Sequence, residues 1–187
     1  MCARSERRFT SIPVAPAQAR RFVREELTGL LRPGAAVADV LDQAELLTSE
    51  VAANAVKASR QSFEVALAVH HTWVQVGVMD QGPGWPELQD PDPREPGGRG
   101  LRIVAAVATA WGAEPVPAGG KRVWFRLPLP NGVAEHLDCT QATALPVGAA
   151  AGPSARAGMP ANRAATRAGA TPPHAPRSAR HPTSNAR

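Results

Sequence analysis

A change of hydrophobic period near residue 60 restricts the fold of this chain more than any other feature. Before Ser59, apolar residues recur at helical spacing, which predicts two amphipathic helices. From Phe63 to Val69, and again from Val74 to Val78, apolar residues alternate with other side chains. This period of two predicts two β-strands joined by a tight turn near His71-Thr72. Since each strand has one apolar face, a layer of helices is expected to cover that face.

The remaining elements follow from the same patterns. The first helix is expected to end at Pro33-Gly34, and the second, which has no internal Gly or Pro, to run from about Ala36 to Ser59. Three more elements complete the prediction: a first strand from Phe9 to Val14, a third helix from Gly100 to Trp111, and a last strand from Val123 to Leu129. One-sided strands that can pair as hairpins, together with three helices, favour an α/β fold. The expected architecture is a two-layer sandwich with a mixed, mostly antiparallel sheet and helices on one face.

The charge of the chain is unevenly distributed. The net charge of the 187 residues is +5, but all 16 acidic residues lie at or before Asp138, so the part before residue 139 carries −1. We therefore assign residues 9–130 to one folded domain and residues 131–187 to a disordered basic tail, since the composition beyond residue 140 cannot bury a core. A nearly neutral domain argues against specific nucleic-acid binding.

Other classes of protein are excluded by short arguments. No apolar run approaches the length of a membrane helix, and the first thirty residues lack the apolar region of a secretory signal. Cys2 and Cys139 lie on the two flanks of the domain without a metal-binding spacing, which argues against a zinc site and against a disulfide scaffold. These features together predict a cytoplasmic protein with no membrane partner.

Asp80 and two glycines form the first candidate motif. Asp80 shares strand parity with Val74 and Val78, so its carboxylate should point into the helix-covered face, where it needs a partner. Gly82 and Gly84 follow, and glycine allows backbone to approach a flat ligand. The same residues also fit an ordinary turn capped by an aspartate, so this motif alone leaves both interpretations open.

Two further motifs are equally ambiguous when taken singly. Gly98-Arg99-Gly100-Leu101 opens the third helix, where free N–H groups could face an anion, but it fits neither a Walker loop nor a dinucleotide fingerprint. Glu50 and Asn54 lie four residues apart on one face of the second helix. Such a pair can hold an oxygen-liking cation, or it can be a solvated helix face.

In this order, the three motifs resemble the boxes of the GHKL (Bergerat-fold, histidine kinase-like) ATPases. The segments SEVAANAV, GRGL and GKRVWFRLPL are most similar to those of the anti-sigma regulatory serine kinases. The resemblance covers residues 9–130. It implies that ATP and Mg²⁺ are the cofactors.

The resemblance also implies a role for each motif residue. Asp80 would accept a hydrogen bond from the adenine amino group, and Gly82 and Gly84 would close around the base. Asn54 would be a Mg²⁺ ligand, and Glu50 the general base that activates the phosphoryl acceptor. The lid and helix start on the phosphate side would consist of Gly98, Arg99, Gly100 and Leu101.

The function implied by the resemblance is that of a protein serine/threonine kinase. Such a kinase would bind a sigma factor or a similar regulator, would be switched by phosphorylating an antagonist protein, and could be a homodimer. A non-catalytic module whose protein interface is gated by nucleotide is the alternative. A self-phosphorylating histidine kinase is disfavoured because no phosphoacceptor hairpin precedes the first strand, and we interpret His70 and His71 as structural residues.

Overall fold

The computed structural model describes residues 2–88, 99–117 and 119–139. Gly98 and the tail from residue 140 onward lie outside the described residues. Eight elements follow one another: β1 (Ala3–Thr10), α1 (Ala15–Leu30), α2 (Ala35–Ala58), β2 (Ser62–Val69), β3 (Trp73–Asp80), α3 (Gly100–Val107), β4 (Ala110–Pro115) and β5 (Lys121–Pro128). In this described part of the chain, no helix is both long and apolar enough to cross a membrane.

The five strands form one sheet in the order β1-β2-β3-β5-β4. Each pair of neighbours is antiparallel. All three helices pack against the sheet, and α1 and α2 also pack against each other. The predicted two-layer α/β sandwich is therefore confirmed, and the pairings among the described strands are all antiparallel.

The core lies between the helices and the apolar face of the sheet. In β5, the residues Val123, Phe125 and Leu127 are buried, while the residues between them are partly exposed, as a period of two requires. Helix α2 contributes a stripe that includes Ala44, Leu47 and Val51, each at most 1% exposed. This alternation sets which side chains at the strand ends face the helices.

The first strand differs from its prediction. It covers Ala3–Thr10 rather than Phe9–Val14, and the turn and helix α1 follow it. The error arises because β1 is an edge strand whose only buried residue is Phe9. Ser5 and Arg7 share the face of Phe9, so no apolar alternation marks the strand.

The segment after α3 was also predicted incorrectly. Helix α3 ends at Val107, not at Trp111, and Trp111 lies on the missed strand β4, paired with Phe125 of β5. The sequence of β4 has no alternation of apolar and polar residues, although it forms a hairpin with β5 across the short connection between Pro115 and Lys121. Only the tertiary pairing identifies it as a strand.

The packed structure continues past the last strand. Ala134 is fully buried, and the carbonyl of Val133 accepts a hydrogen bond of 2.9 Å from the backbone N–H of Arg32. Buried residues therefore extend beyond residue 130, where the folded domain was expected to end. Cys2 and Cys139 form a disulfide, so the expectation of no disulfide is wrong. The sequence separation of 137 residues gave no local signal of that pairing.

Candidate functional site

A cavity of about 280 Å³ opens between α2, the loop after β3 and the start of α3. Its walls include apolar side chains and glycine backbone, with few charged groups among them. The side chains that line it include Asn54, Lys57, Asp80, Trp85, Leu101 and Lys121. Three of the sequence motifs thus contribute to one cavity.

Asp80 is the buried acid of the cavity. It is 3% exposed at the end of β3, on the helix-covered face as its parity predicted. Its Oδ1 accepts a hydrogen bond of 2.9 Å from the backbone N–H of Gly82. The same oxygen forms an ion pair with Nζ of Lys121, also at 2.9 Å. Among the described residues, no donor reaches its Oδ2. That oxygen is available to a donor within the cavity.

Lys121 is a site residue that the sequence reasoning missed. It is only 7% exposed, and its ammonium also donates to the carbonyl of Gly82 at 3.2 Å. The register of the sheet pairs it directly with Asp80. A signal was present in the sequence, because Lys121 shares parity with the buried Val123 and Phe125. A lysine on an apolar strand face needs a buried acid as its partner.

Glycine is required at two points beside Asp80. A Cβ on Gly82 would lie 2.1 Å from the carbonyl oxygen of Ala58 at the end of α2. A Cβ on Gly120, whose φ is +84°, would lie 2.1 Å from the carbonyl oxygen of Asp80. Both distances are shorter than any side chain tolerates. The loops around the carboxylate therefore close only with glycine, and Gly84, with a φ of +84°, completes the turn along the cavity wall.

Glu50 and Asn54 meet the start of α3. A Cβ on Gly100 would lie 2.7 Å from Oε2 of Glu50 and 3.6 Å from Nδ2 of Asn54. Asn54 lines the cavity, whereas Glu50 lies one helical turn before it, beside Gly100 and outside the cavity lining. The absence of a side chain at Gly100 lets both polar groups approach the first turn of α3.

The lid residues are placed differently from one another. Leu101 is 6% exposed and lines the cavity, and Arg99 is an exposed residue just before α3. Gly98 lies outside the described residues, so its predicted role stays a prediction. On the other side of the cavity, Pro83 and Trp85 line the wall after β3.

Comparison with models of known protein families gives a match to this domain. The model of the histidine kinase-like ATPase domain matches residues 12–127, more than half of the chain. The chain belongs to the histidine kinase-like ATPase family. Membership implies that the domain binds ATP. A search of individually curated proteins gives no significant match.

The residues of this ATPase domain fit the nucleotide and its usual cation. The available oxygen of Asp80 suits the amino group of a base, and apolar walls formed by Val51, Ala55 and Leu101 suit its flat faces. Magnesium prefers oxygen ligands and usually takes only one or two from the protein. The amide of Asn54 and the carboxylate of Glu50 offer such oxygens next to the start of α3.

Proposed function

We propose that this ATPase domain is a protein serine/threonine kinase of the anti-sigma type. It binds ATP with Mg²⁺, transfers the γ-phosphoryl group to a serine or threonine of an antagonist protein, and binds a sigma factor or a similar regulator. The observation that carries the proposal is the relative placement of Asp80, which lines the cavity, and Glu50, which lies just outside the lining beside Gly100. Asp80 lies at the end of β3, and Glu50 lies beside the start of α3.

Base recognition rests on the asymmetry of Asp80. Its Oδ1 is occupied by Gly82 and Lys121, which fixes the direction of the carboxylate. The Oδ2 atom then accepts a hydrogen bond from the exocyclic amino group of adenine. Nζ of Lys121 lies 2.9 Å from Oδ1, so the buried carboxylate has a counter-charge.

Phosphoryl transfer is assigned to the side of the cavity away from Asp80, beside the start of α3. Asn54 would hold Mg²⁺, which neutralises charge on the phosphates when it is bound. Glu50 accepts the proton of the attacking hydroxyl group. A carboxylate that performs this task must be close to the phosphate side, and the contact of Glu50 with Gly100 at the start of α3 supports that assignment.

The anti-sigma assignment rests on the similarity of the three sequence segments around these residues. The segment from Ser49 to Val56 carries both Glu50 and Asn54, and the segment from Lys121 to Leu129 carries the partner of Asp80. A kinase of this type acts on a protein rather than on a small molecule.

The test compares binding with transfer. ATP affinity is measured by calorimetry with Mg²⁺, and transfer is followed from γ-labelled ATP to serine or threonine residues of proteins in the native extract. Glu50→Gln should keep ATP affinity and reduce transfer by about 10²–10⁴, the usual contribution of a general base. Glu64→Gln, on the outer face of β2, is the matched control and should leave both unchanged. Asn54→Ala should weaken Mg²⁺-dependent ATP binding as well as transfer.

Each part of the proposal has its own contradicting result. If the wild-type protein binds ATP but labels no protein, the nucleotide-gated binding module replaces the kinase. If Glu50→Gln transfers phosphate at the wild-type rate, Glu50 is not the general base. If the wild-type protein binds no ATP, the assigned roles of Asp80 and Asn54 are wrong.

A further inference from the structure

Three potential metal ligands meet at the end of the sheet remote from Asp80. They are Cys2, His71 and Cys139, and their ligand atoms all lie within 4.8 Å of one another. Each is partly exposed, so an ion in solution can reach the group. They come from three separate segments: the residue before β1, the turn between β2 and β3, and the segment after β5. The fold, together with the disulfide between Cys2 and Cys139, brings them together.

The backbone positions two of these residues firmly. The N–H of Cys2 donates to the carbonyl of Val69, which extends the β1–β2 ladder by one residue. Nε2 of His71 lies 3.0 Å from the carbonyl oxygen of Leu137. A carbonyl only accepts, so Nε2 carries the proton in this contact and the lone pair is on Nδ1. Histidine ligands of metal ions commonly donate their other N–H to such a carbonyl.

We propose that Cys2, His71 and Cys139 form a zinc site in the reduced protein. The two cysteines are joined by a disulfide in the structure, so the site requires reduction first. A dithiol supplies two electrons and two protons, the S–S bond breaks, and the dithiol becomes a disulfide. Zn²⁺ then binds the two sulfurs as thiolates and releases their two protons to solvent.

The ligand set selects this class of metal. Two thiolates and one imidazole suit Zn²⁺, whereas Mg²⁺ and Ca²⁺ require oxygen ligands. The two sulfurs are bonded to each other in the disulfide, and after reduction they need to separate only to about 3.8 Å for each to bind the metal at about 2.3 Å in tetrahedral geometry. Three protein ligands leave a fourth position for water.

The zinc site is independent of the proposed kinase activity. Trp73, two residues after His71, begins β3, and Asp80 ends it, so the two sites are separated by a strand of eight residues, or about 23 Å. Occupation of the site ties the start of β1 to the segment after β5, as the disulfide does. A reducing compartment would replace the disulfide with the metal.

The experiment uses the full chain, reduced with a dithiol that is then removed under anaerobic conditions. Co²⁺ is the first probe, since tetrahedral thiolate coordination gives visible d–d bands and near-ultraviolet charge-transfer absorption. We expect one Co²⁺ per chain, displaced by Zn²⁺, and a higher melting temperature with either ion. Either Cys2→Ser or Cys139→Ser should weaken the charge-transfer band, the two together should abolish it, and His71→Ala should lower affinity about tenfold or more. His70→Ala is the matched control and should bind like the wild type, because His70 is outside the group.

The proposal is overturned if the reduced, folded wild-type protein binds no stoichiometric Co²⁺ or Zn²⁺ at micromolar concentration. It is also overturned if His71→Ala and His70→Ala bind equally well. In either case the cysteines form a disulfide only. Circular dichroism of each variant establishes that it is folded, so the result does not depend on whether ATP binds.

Discussion

Lys121→Met tests whether the ion pair under the cavity stabilises the fold. The pair joins Lys121 Nζ to Asp80 Oδ1 at 2.9 Å, with side chains that are 9% and 2% exposed. Methionine has nearly the length of lysine and fits the same apolar strand face, so the main change is loss of the charge. Asp80 then keeps a single donor, the N–H of Gly82.

The expected loss of stability is about 3 kcal/mol, because removing one partner of a buried pair leaves an uncompensated charge. The loss lies at the lower end of the usual range because the N–H of Gly82 still donates to Asp80 and the carboxylate borders an open cavity. For a domain of this size, the loss lowers the melting temperature by about 10 °C. Urea unfolding followed by circular dichroism measures the free energy directly.

Two further variants make the result specific. Lys57→Met is the same substitution in the same cavity, and Lys57 has no ion pair among the residues that the structure describes. Its effect should be at most about 0.5 kcal/mol. Asp80→Asn combined with Lys121→Met should recover part of the loss, since no buried charge is left unpaired. A Lys121→Met protein as stable as Lys57→Met would refute the reasoning.

Three more changes have defined outcomes. Asp80→Ala should weaken ATP and ADP binding alike, by about 10- to 150-fold, since both nucleotides share the base; calorimetry that gives wild-type affinity for a folded variant would remove Asp80 from the site. Gly82→Ala should abolish nucleotide binding and lower the melting temperature, because the new Cβ would lie 2.1 Å from the carbonyl of Ala58; a variant of unchanged stability and affinity would contradict that contact. A chain that ends at Asn131 should lose about 2 kcal/mol or more of stability under reducing conditions, since Ala134 and its neighbours leave the core; equal urea midpoints for the short and full chains would show that this segment contributes nothing.

The elements with strong local patterns were predictable from the sequence. The bounds of α2 agree within one residue, and β2 and β3 lie where the period of two placed them. Parity along β3 also gave the direction of Asp80. These predictions succeed because burial on one face imposes a period that the amino-acid order must follow.

The remaining features depend on contacts between distant segments. Lys121 becomes a site residue only because β5 lies beside β3, which places it opposite Asp80. The pairing of Cys2 with Cys139 likewise needs the whole sheet to be in place. Local spacing contains no information about such neighbours.

The strand order has a consequence for how this domain is made. The β2–β3 hairpin is local and can form early, whereas β1 must wait for β2, which is synthesised about fifty residues later. Strand β5 is the last to be made, yet it is inserted between β3 and β4. Since β5 supplies Lys121, the cavity is completed only when nearly all of the described chain has left the ribosome. A nascent chain that stops before β5 should therefore be unable to retain nucleotide.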